Sequence, residues 1–369
     1  MKILILDTYY SMFLDNFYGN HPELEQAGYE TQKKALLAEN FGTSDFFSRN
    51  LKKLGHEADD IILNCGSLQK QWAKEHGIWY RPDWFRNVRK LRSWFKSDWP
   101  DRVVEAQIKV YRPDILYCHD LRNPPQKLLL RVKPYVKNIV GQVASPFDFE
   151  NEKANQFDLI LTSFPHFIER FRKIGIRSEY FKLAFEPKLL DRIHGNHDKY
   201  GAVFVGGFSR WHNANIVMFD YLAQHNAIEL WGYGAKHLPL ESAARKHHHG
   251  DAWGTSMYQI YADAKICINR HIETAENYAN NMRLYEATGM GAMVITEKRS
   301  NLADLFEPGK EIETYETKEE LLEKIRYYLA HDDERKKIAQ AGQNRTLQDH
   351  TYQKRMEELI TIFQKNLGK

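Results

Sequence analysis

A chain of 369 residues exceeds what one small core organises, so two domains are expected. Hydrophobic residues at 43% and charged residues at 27% argue against disorder, and a formal net charge of +3 gives no global pull toward nucleic acid. Cys65, Cys118 and Cys267 are odd in number and lack CxxC spacing, which disfavours a disulfide framework or a cysteine zinc site and fits a reducing compartment.

The opening run MKILIL turns polar at Asp7. It is too short for a signal peptide, and no run approaches about 20 apolar residues, so a cytoplasmic location is expected. Strand-like runs KILIL, DDIIL, DILYC, NIVGQVA, DLILTS and EYFKLA then alternate with amphipathic stretches such as SDFFSRNLKKLGHE. That alternation predicts an α/β domain with a parallel sheet. Gly55 and Gly175 each follow a helical run and precede a strand, which suits a helix C-cap. The segment RPDWFRNVRKLRSWFKSDW (81–99) reads as a basic amphipathic helix, with Trp84, Val88, Leu91 and Phe95 on one stripe. Such a helix suits peripheral contact with an anionic membrane face or an anionic glycan.

After Phe185-Glu186-Pro187 and a polar stretch the alternation restarts with AVFVGG, IELWGY, KICINR, AMVIT and EIETY. A second doubly wound domain follows. Loops leaving the carboxyl ends of parallel strands are where chemistry gathers. In VFVGGFSRWHN, Gly206 and Gly207 leave a strand ahead of Ser209 and Arg210, a reasonable anion site without being GxGxxG or a Walker loop. In NNMRLYEATGMGAMVIT (280–296), Arg283 and Glu286 stand at i, i+3 near a helix start. Arg283, with the amides of Asn281 and Met282, suits a diphosphate, and Glu286 suits the diol of a ribose. His247, His248 and His249 are adjacent in an extended loop, so they point different ways and no metal site is expected there.

The segment from INRHIETAENYANNMRLYEATGMGAMVIT through LFEPGKE to HTYQKR resembles the C-terminal domain of group 1 glycosyltransferases of the GT-B fold. It is most similar to the spore-maturation-protein (CgeB-like) branch, and looser likeness covers nearly the whole chain. The resemblance implies two Rossmann-like domains facing a central cleft, with a nucleotide diphosphate sugar held by the second and its ribose by Glu286. It also marks HGDAWGTSMYQIY (249–261) as the region flanking the base, which makes Trp253 a base-side candidate beside Tyr233 at the end of IELWGY. Eight residues before Glu286, where many group 1 enzymes carry a sugar-contacting glutamate, this chain has Tyr278, with Glu273 and Glu276 out of register. Retaining or inverting chemistry is left open.

No Asp-x-Asp occurs. Diphosphate charge is therefore expected to meet Ser209, Arg210, Arg270, Arg283 and the helix dipole rather than a metal, and no cofactor is expected. With the donor in the second domain, any base should come from the first, where Asp148, His119 and Asp120 follow strands. The expected domains are 1–187 on the acceptor side, 188–350 on the nucleotide-sugar side, and 351–369 as a helix crossing back. The function expected is glycosyl transfer to a hydroxyl of a bacterial surface glycan or lipid-linked acceptor. An NAD(P)-dependent oxidoreductase and a non-catalytic glycan-binding protein remain as alternatives.

Overall fold

The computed structural model describes residues 1–80, 99–150, 154–208 and 213–368. Ser209 and Arg210 lie outside these, as does the expected basic helix apart from Trp99, which opens the Trp99–Tyr111 helix. The chain divides into two units, Met1–Phe181 with Met356–Lys369, and Lys182–Arg355.

The first unit carries β1 (Lys2–Asp7), β2 (Glu57–Ile62), β3 (Ile115–Cys118), β4 (Asn138–Val143), β5 (Leu159–Thr162) and β6 (Ser178–Tyr180). They form one parallel sheet in the order β2-β1-β3-β4-β5-β6. ILYC of β3 and LILT of β5 are buried at every residue, which is why these strands read as continuous apolar runs rather than alternating ones. Gly55 (φ +81°) and Gly175 (φ +79°) stop the preceding helices in the left-handed conformation. The next N–H closes each end, His56 to Leu51 O at 3.1 Å and Ile176 to Phe171 O at 3.0 Å. Nothing lies within 4 Å of where a Cβ would sit on either glycine, so backbone conformation and not space requires them.

The second unit carries β7 (Tyr200–Val205), β8 (Glu229–Trp231), β9 (Ala264–Asn269), β10 (Met293–Glu297) and β11 (Glu313–Tyr315), again parallel, in the order β11-β10-β9-β7-β8. Phe204, Phe219, Leu230, Ile266, Ile268, Met293 and Ile325 fill its core. Each sheet starts at an inner strand, winds one way, then crosses back. The strand order therefore reverses between β1 and β3 in one unit and between β7 and β9 in the other, and loops diverge there to leave a crevice. The fold is α/β with two doubly wound parallel sheets.

Phe185, expected on the first-domain side of the boundary, is part of the second unit. Its N–H donates to His350 O at 2.8 Å and its carbonyl accepts from Tyr352 N at 2.9 Å. Its ring occupies the space over Gly289, where a Cβ would lie 2.4 Å from it. The HTYQKR motif closes the same corner. Arg355, only 2% exposed, donates from Nε to Leu183 O at 3.2 Å and from Nη2 to Asp349 O and to His350 Nδ1. With Nδ1 accepting, the His350 ring is neutral and donates from Nε2 to Leu305 O at 2.8 Å, and burial holds its pKa down to about 4. Beyond Arg355 the Tyr352–Leu367 helix runs into the first unit, where Phe363 lies against Tyr117 and Lys365 Nζ sits 3.0 Å from Glu179. Among the described residues no helix is long and apolar enough to cross a membrane.

Candidate functional site

The β7/β9 switch point is organised around the Met282–Gly289 helix. Asn281 caps it, accepting from Leu284 N at 3.2 Å while Nδ2 donates to Asn269 Oδ1 and Arg270 O, both at 2.7 Å. One side chain thus satisfies the helix and fastens it to the end of β9. Behind it, His271 Nδ1 accepts from Asn280 N at 3.1 Å, which leaves the proton on Nε2 for donation to Thr296 Oγ1, also 3.1 Å away. Thr296 Oγ1 accepts a second bond from Asn269 Nδ2 at 3.0 Å. Burial, with Arg299 and Arg283 adding to it, pushes the His271 pKa down to about 3, in keeping with this neutral tautomer. The ring is a fixed strut between β10 and the loop that enters the helix. Met282, half-buried, is the first helical residue, so the opening amides of the helix stand at the carboxyl edge of the sheet.

Arg283 does not extend into solvent. Its Nε donates to Val205 O at the end of β7, and its guanidinium carbon lies 4.9 Å from the Phe204 ring centroid. Glu286, 6% exposed, accepts from Tyr258 OH at 3.3 Å. Burial raises its pKa to about 7, with the Arg283 charge and the Tyr258 hydrogen bond opposing that rise. With Glu286 buried and Arg283 half-buried and bound to β7, the two are not the surface i, i+3 ion pair that the spacing alone also permits. A buried carboxylate that accepts one hydroxyl and rests beside a fixed guanidinium is equipped to receive further hydroxyl donors. Arg270 lies with its Nε 3.9 Å from Glu297, which also holds Arg299 at 2.6 Å.

The glycines after β7 have a different physical reason from the one their sequence suggests. A Cβ on Gly206 would lie 2.6 Å from Arg283 Nη2 and 2.7 Å from Phe204, and one on Gly207 would lie 2.5 Å from the Tyr233 ring. Their missing side chains admit the protein's own Arg283 and Tyr233. The loop after β8 interlocks with them through Gly206 N to Trp231 O at 2.9 Å and Phe208 N to Tyr233 O at 2.8 Å. Tyr233 and Trp253 stack, with ring centroids 5.3 Å apart and planes 14° from parallel, and both are half-buried. Those two rings, 20 residues apart in sequence, form one aromatic stack.

The three histidines run beside β8, where Leu230 N donates to His247 O and His249 N to Leu230 O. His247 and His249 turn to Glu229 while His248 turns the other way, Nε2 to Gly232 O at 2.7 Å. Strand alternation puts His247 and His249 on one side and His248 on the other. Among the described residues no group of three or more His, Cys, Asp or Glu side chains is arranged to hold a metal.

In the first unit the structure links loops that the sequence left separate. Asp7 Oδ2 accepts from Thr43 Oγ1 at 3.1 Å, and Thr43 Oγ1 lies 3.2 Å from His119 Nε2. The His119 ring also meets Phe47 and Tyr117 edge to face, and burial lowers its pKa. Asp120 receives Arg122 on both oxygens and Asn123 Nδ2 at 2.9 Å. Asp148 is exposed and accepts from Glu150 N at 3.0 Å, an Asx turn, and it sits in a different loop from His119 and Asp120. Thr43, Tyr258, Val205 and Asn64 were absent from the sequence-based candidates. No local pattern marks them, because each acts through a partner 28 to 78 positions away.

The family model described as glycosyl transferase-like matches residues 193–361. A search of curated proteins returns no match. Among solved structures, Anabaena HepE in complex with UDP-glucose is similar with a TM-score of 0.61 at 14% identity, over 99% of this chain and 100% of that one. Sucrose-phosphate synthase from Thermosynechococcus elongatus is similar with a TM-score of 0.59 at 12% identity, over 99% of each chain. A glycosyltransferase from Rickettsia africae has a TM-score of 0.59 at 11% identity, over 100% of this chain and 99% of that one. The likeness at these identities is one of fold, and that fold is GT-B. The family match and the fold neighbours together support a glycosyltransferase.

Proposed function

We propose that the chain transfers a sugar from a nucleoside diphosphate sugar to a hydroxyl acceptor. The observation that carries this reading is the half-buried Arg283 and buried Glu286, fixed on Val205 and Tyr258 at the carboxyl edge of β7 and β9. Glu286 accepts the ribose diol. Arg283, with Arg270 and the amides of Asn281 and Met282, meets the diphosphate, for which Ser209 and Arg210 remain candidates from the sequence, while Tyr233 and Trp253 offer the stack a base joins. The UDP-glucose bound by the Anabaena neighbour makes UDP the first nucleotide to test.

In the transfer step the acceptor oxygen forms a bond to the anomeric carbon as the bond from that carbon to the diphosphate oxygen breaks. The electron pair leaves with the nucleoside diphosphate, which positive groups stabilise. On an inverting course the acceptor proton passes to a first-unit side chain, for which His119, Asp120 and Asp148 are the candidates. On a retaining course it passes to the departing phosphate. Without an Asp-x-Asp in the sequence, arginines and helix amides take the role a metal plays elsewhere. The motifs NMRxxE and HTYxxR support the narrower likeness to the spore-maturation branch, and synthesis of a bacterial surface glycan fits that reading. A cytoplasmic enzyme touching the inner membrane face through 81–99 fits the basic residues of that segment.

Incubation with UDP-glucose and other nucleoside diphosphate sugars, with release of the free diphosphate as readout, tests the proposal. Slow hydrolysis of one donor is expected, water standing in for the acceptor. No release from any donor, in the presence or absence of saccharide, contradicts it.

A further inference from the structure

The Trp99–Tyr111 helix buries Val103, Val104 and Ile108 and carries Arg102, Glu105, Ala106 and Lys109 at i, i+3, i+4 and i+7 along another side. The Gln126–Val132 helix packs beside it and brings Arg131 to the same stripe. These five residues line a cavity of ≈ 410 Å³, within the size range of small-ligand pockets. All five stand on helices of the first unit, not on the loops that leave the carboxyl ends of its strands. Glu105 is the hub. Its two oxygens take Lys109 Nζ at 2.7 Å and Arg131 Nε at 2.6 Å. Burial acts to raise its pKa, but the bonds from Lys109 and Arg131 outweigh burial and hold it below the usual carboxylate value, so it stays ionised and keeps both cations in place. Its side chain is 15% exposed, against 33% for Arg131 and 41% for Lys109, which puts the carboxylate at the base and the cations toward the opening. Lys109 Nζ is further held 4.9 Å from the centroid of the Tyr135 ring.

We infer that this cavity binds a phosphate monoester, with the guanidinium groups of Arg102 and Arg131 and the ammonium of Lys109 on its oxygens. Charge carries the inference first. Two nearby lysines each have a carboxylate of their own, Lys133 with Asp158 at 2.8 Å and Lys137 with Asp114 at 2.7 Å. The cavity instead sets three cations against one carboxylate, an excess that pinning two helices together does not require and that matches the nearly two negative charges of a phosphate monoester. The guanidinium fork suits phosphate oxygens, and the Glu105 hub fixes Lys109 and Arg131 before a ligand arrives. Apolar side chains flank the charges. Val110, 71% exposed, stands one turn beyond Ala106, and Leu130, 63% exposed, is next to Arg131. A soluble phosphate ester and the headgroup of a lipid phosphate share the chemistry of the cavity, and this apolar rim gives the lipid a further contact. None of these residues belongs to the second unit, so the site stands whether or not that unit binds a nucleotide.

The test is titration of the full chain with glycerol 3-phosphate, followed by phosphorus NMR in the presence of UDP, and co-sedimentation with phosphatidylcholine vesicles with and without phosphatidic acid. Wild type is compared with Lys109→Gln, Arg131→Gln and the double variant Val110→Ser/Leu130→Ser, with a thermal melt and UDP calorimetry on each. Each single variant leaves Glu105 one cation, and the double variant changes only exposed side chains, so folding is retained. Wild type should bind glycerol 3-phosphate or the phosphatidic acid vesicles, and Lys109→Gln and Arg131→Gln should each weaken that binding by about tenfold with UDP affinity unchanged. Binding of glycerol 3-phosphate that Val110→Ser/Leu130→Ser leaves intact supports the site with a soluble ester as its ligand. Binding of phosphatidic acid vesicles alone, reduced in that double variant, supports it with a lipid headgroup. Binding of neither by wild type, or binding indifferent to both cation variants, overturns the inference.

Discussion

The two switch points share a topology and differ in what they display. Between β7 and β9 the loops hold a guanidinium, a buried carboxylate, a capped helix start and glycines that let side chains interlock. Between β1 and β3 they hold aromatic, hydroxyl and amide groups, with Arg122 bound to Asp120 and Asp7 accepting from Thr43. Winding order creates a crevice in both, and the residues at strand ends decide which ligand enters. In the function proposed above, the first of these receives the charged nucleotide.

The largest effect that sharpens this contrast is expected from Arg283→Ala. Removing a fixed, half-buried guanidinium should weaken nucleoside diphosphate binding by about a hundredfold, measured by titration. Gly206→Ala is a subtler probe. A methyl there displaces Arg283 Nη2 and the Phe204 ring, so affinity should fall by roughly tenfold with only a modest change in melting temperature. If Gly206→Ala binds UDP like wild type, Arg283 has no role in holding the diphosphate.

The second-unit crevice should also respond to pH. Glu286 has its pKa raised to about 7, so below neutrality it is protonated and a poorer acceptor for ribose hydroxyls. Nucleotide affinity should rise several-fold between about pH 6 and 8, measured by titration. Stability moves the other way. A carboxyl whose pKa is higher folded than unfolded holds its proton longer in the native state, so its contribution is lost as pH rises from the unfolded value toward about 7. Asp60, buried in the first unit and also raised to about 7 by desolvation, adds the same slope. Thermal melts of the unliganded protein should therefore flatten over this range in Glu286→Gln and in Asp60→Asn. The smallest effect is expected from Asn64→Ala, which loses two half-buried hydrogen bonds and about 1 kcal/mol of stability, read in a thermal melt, without touching UDP binding.

Much of the fold was legible in the sequence because parallel strands buried on both faces leave runs such as ILYC and LILT, and because Gly55 and Gly175 mark where helices must turn. Arg283 and Glu286 were legible as a pair because one helix carries both. Their setting was not. Tyr258 comes from the preceding helix, Val205 O from β7, and the Gly206 space has meaning only once Arg283 fills it. Strand order decides these neighbours, and local periodicity does not encode strand order. The HTYQKR motif shows the converse. It was visible as a family mark, but His350 and Arg355 are turned inward to close a corner of the second unit and touch no open surface.

The most direct test of the central claim is calorimetric titration of UDP, GDP, dTDP, CMP and NADH into wild type and Glu286→Gln at pH 8, where the carboxylate is ionised. Tight binding of one nucleoside diphosphate, weakened by at least tenfold in the variant, is the result this account predicts. Binding of NADH alone, or diphosphate binding indifferent to Glu286→Gln, would contradict it.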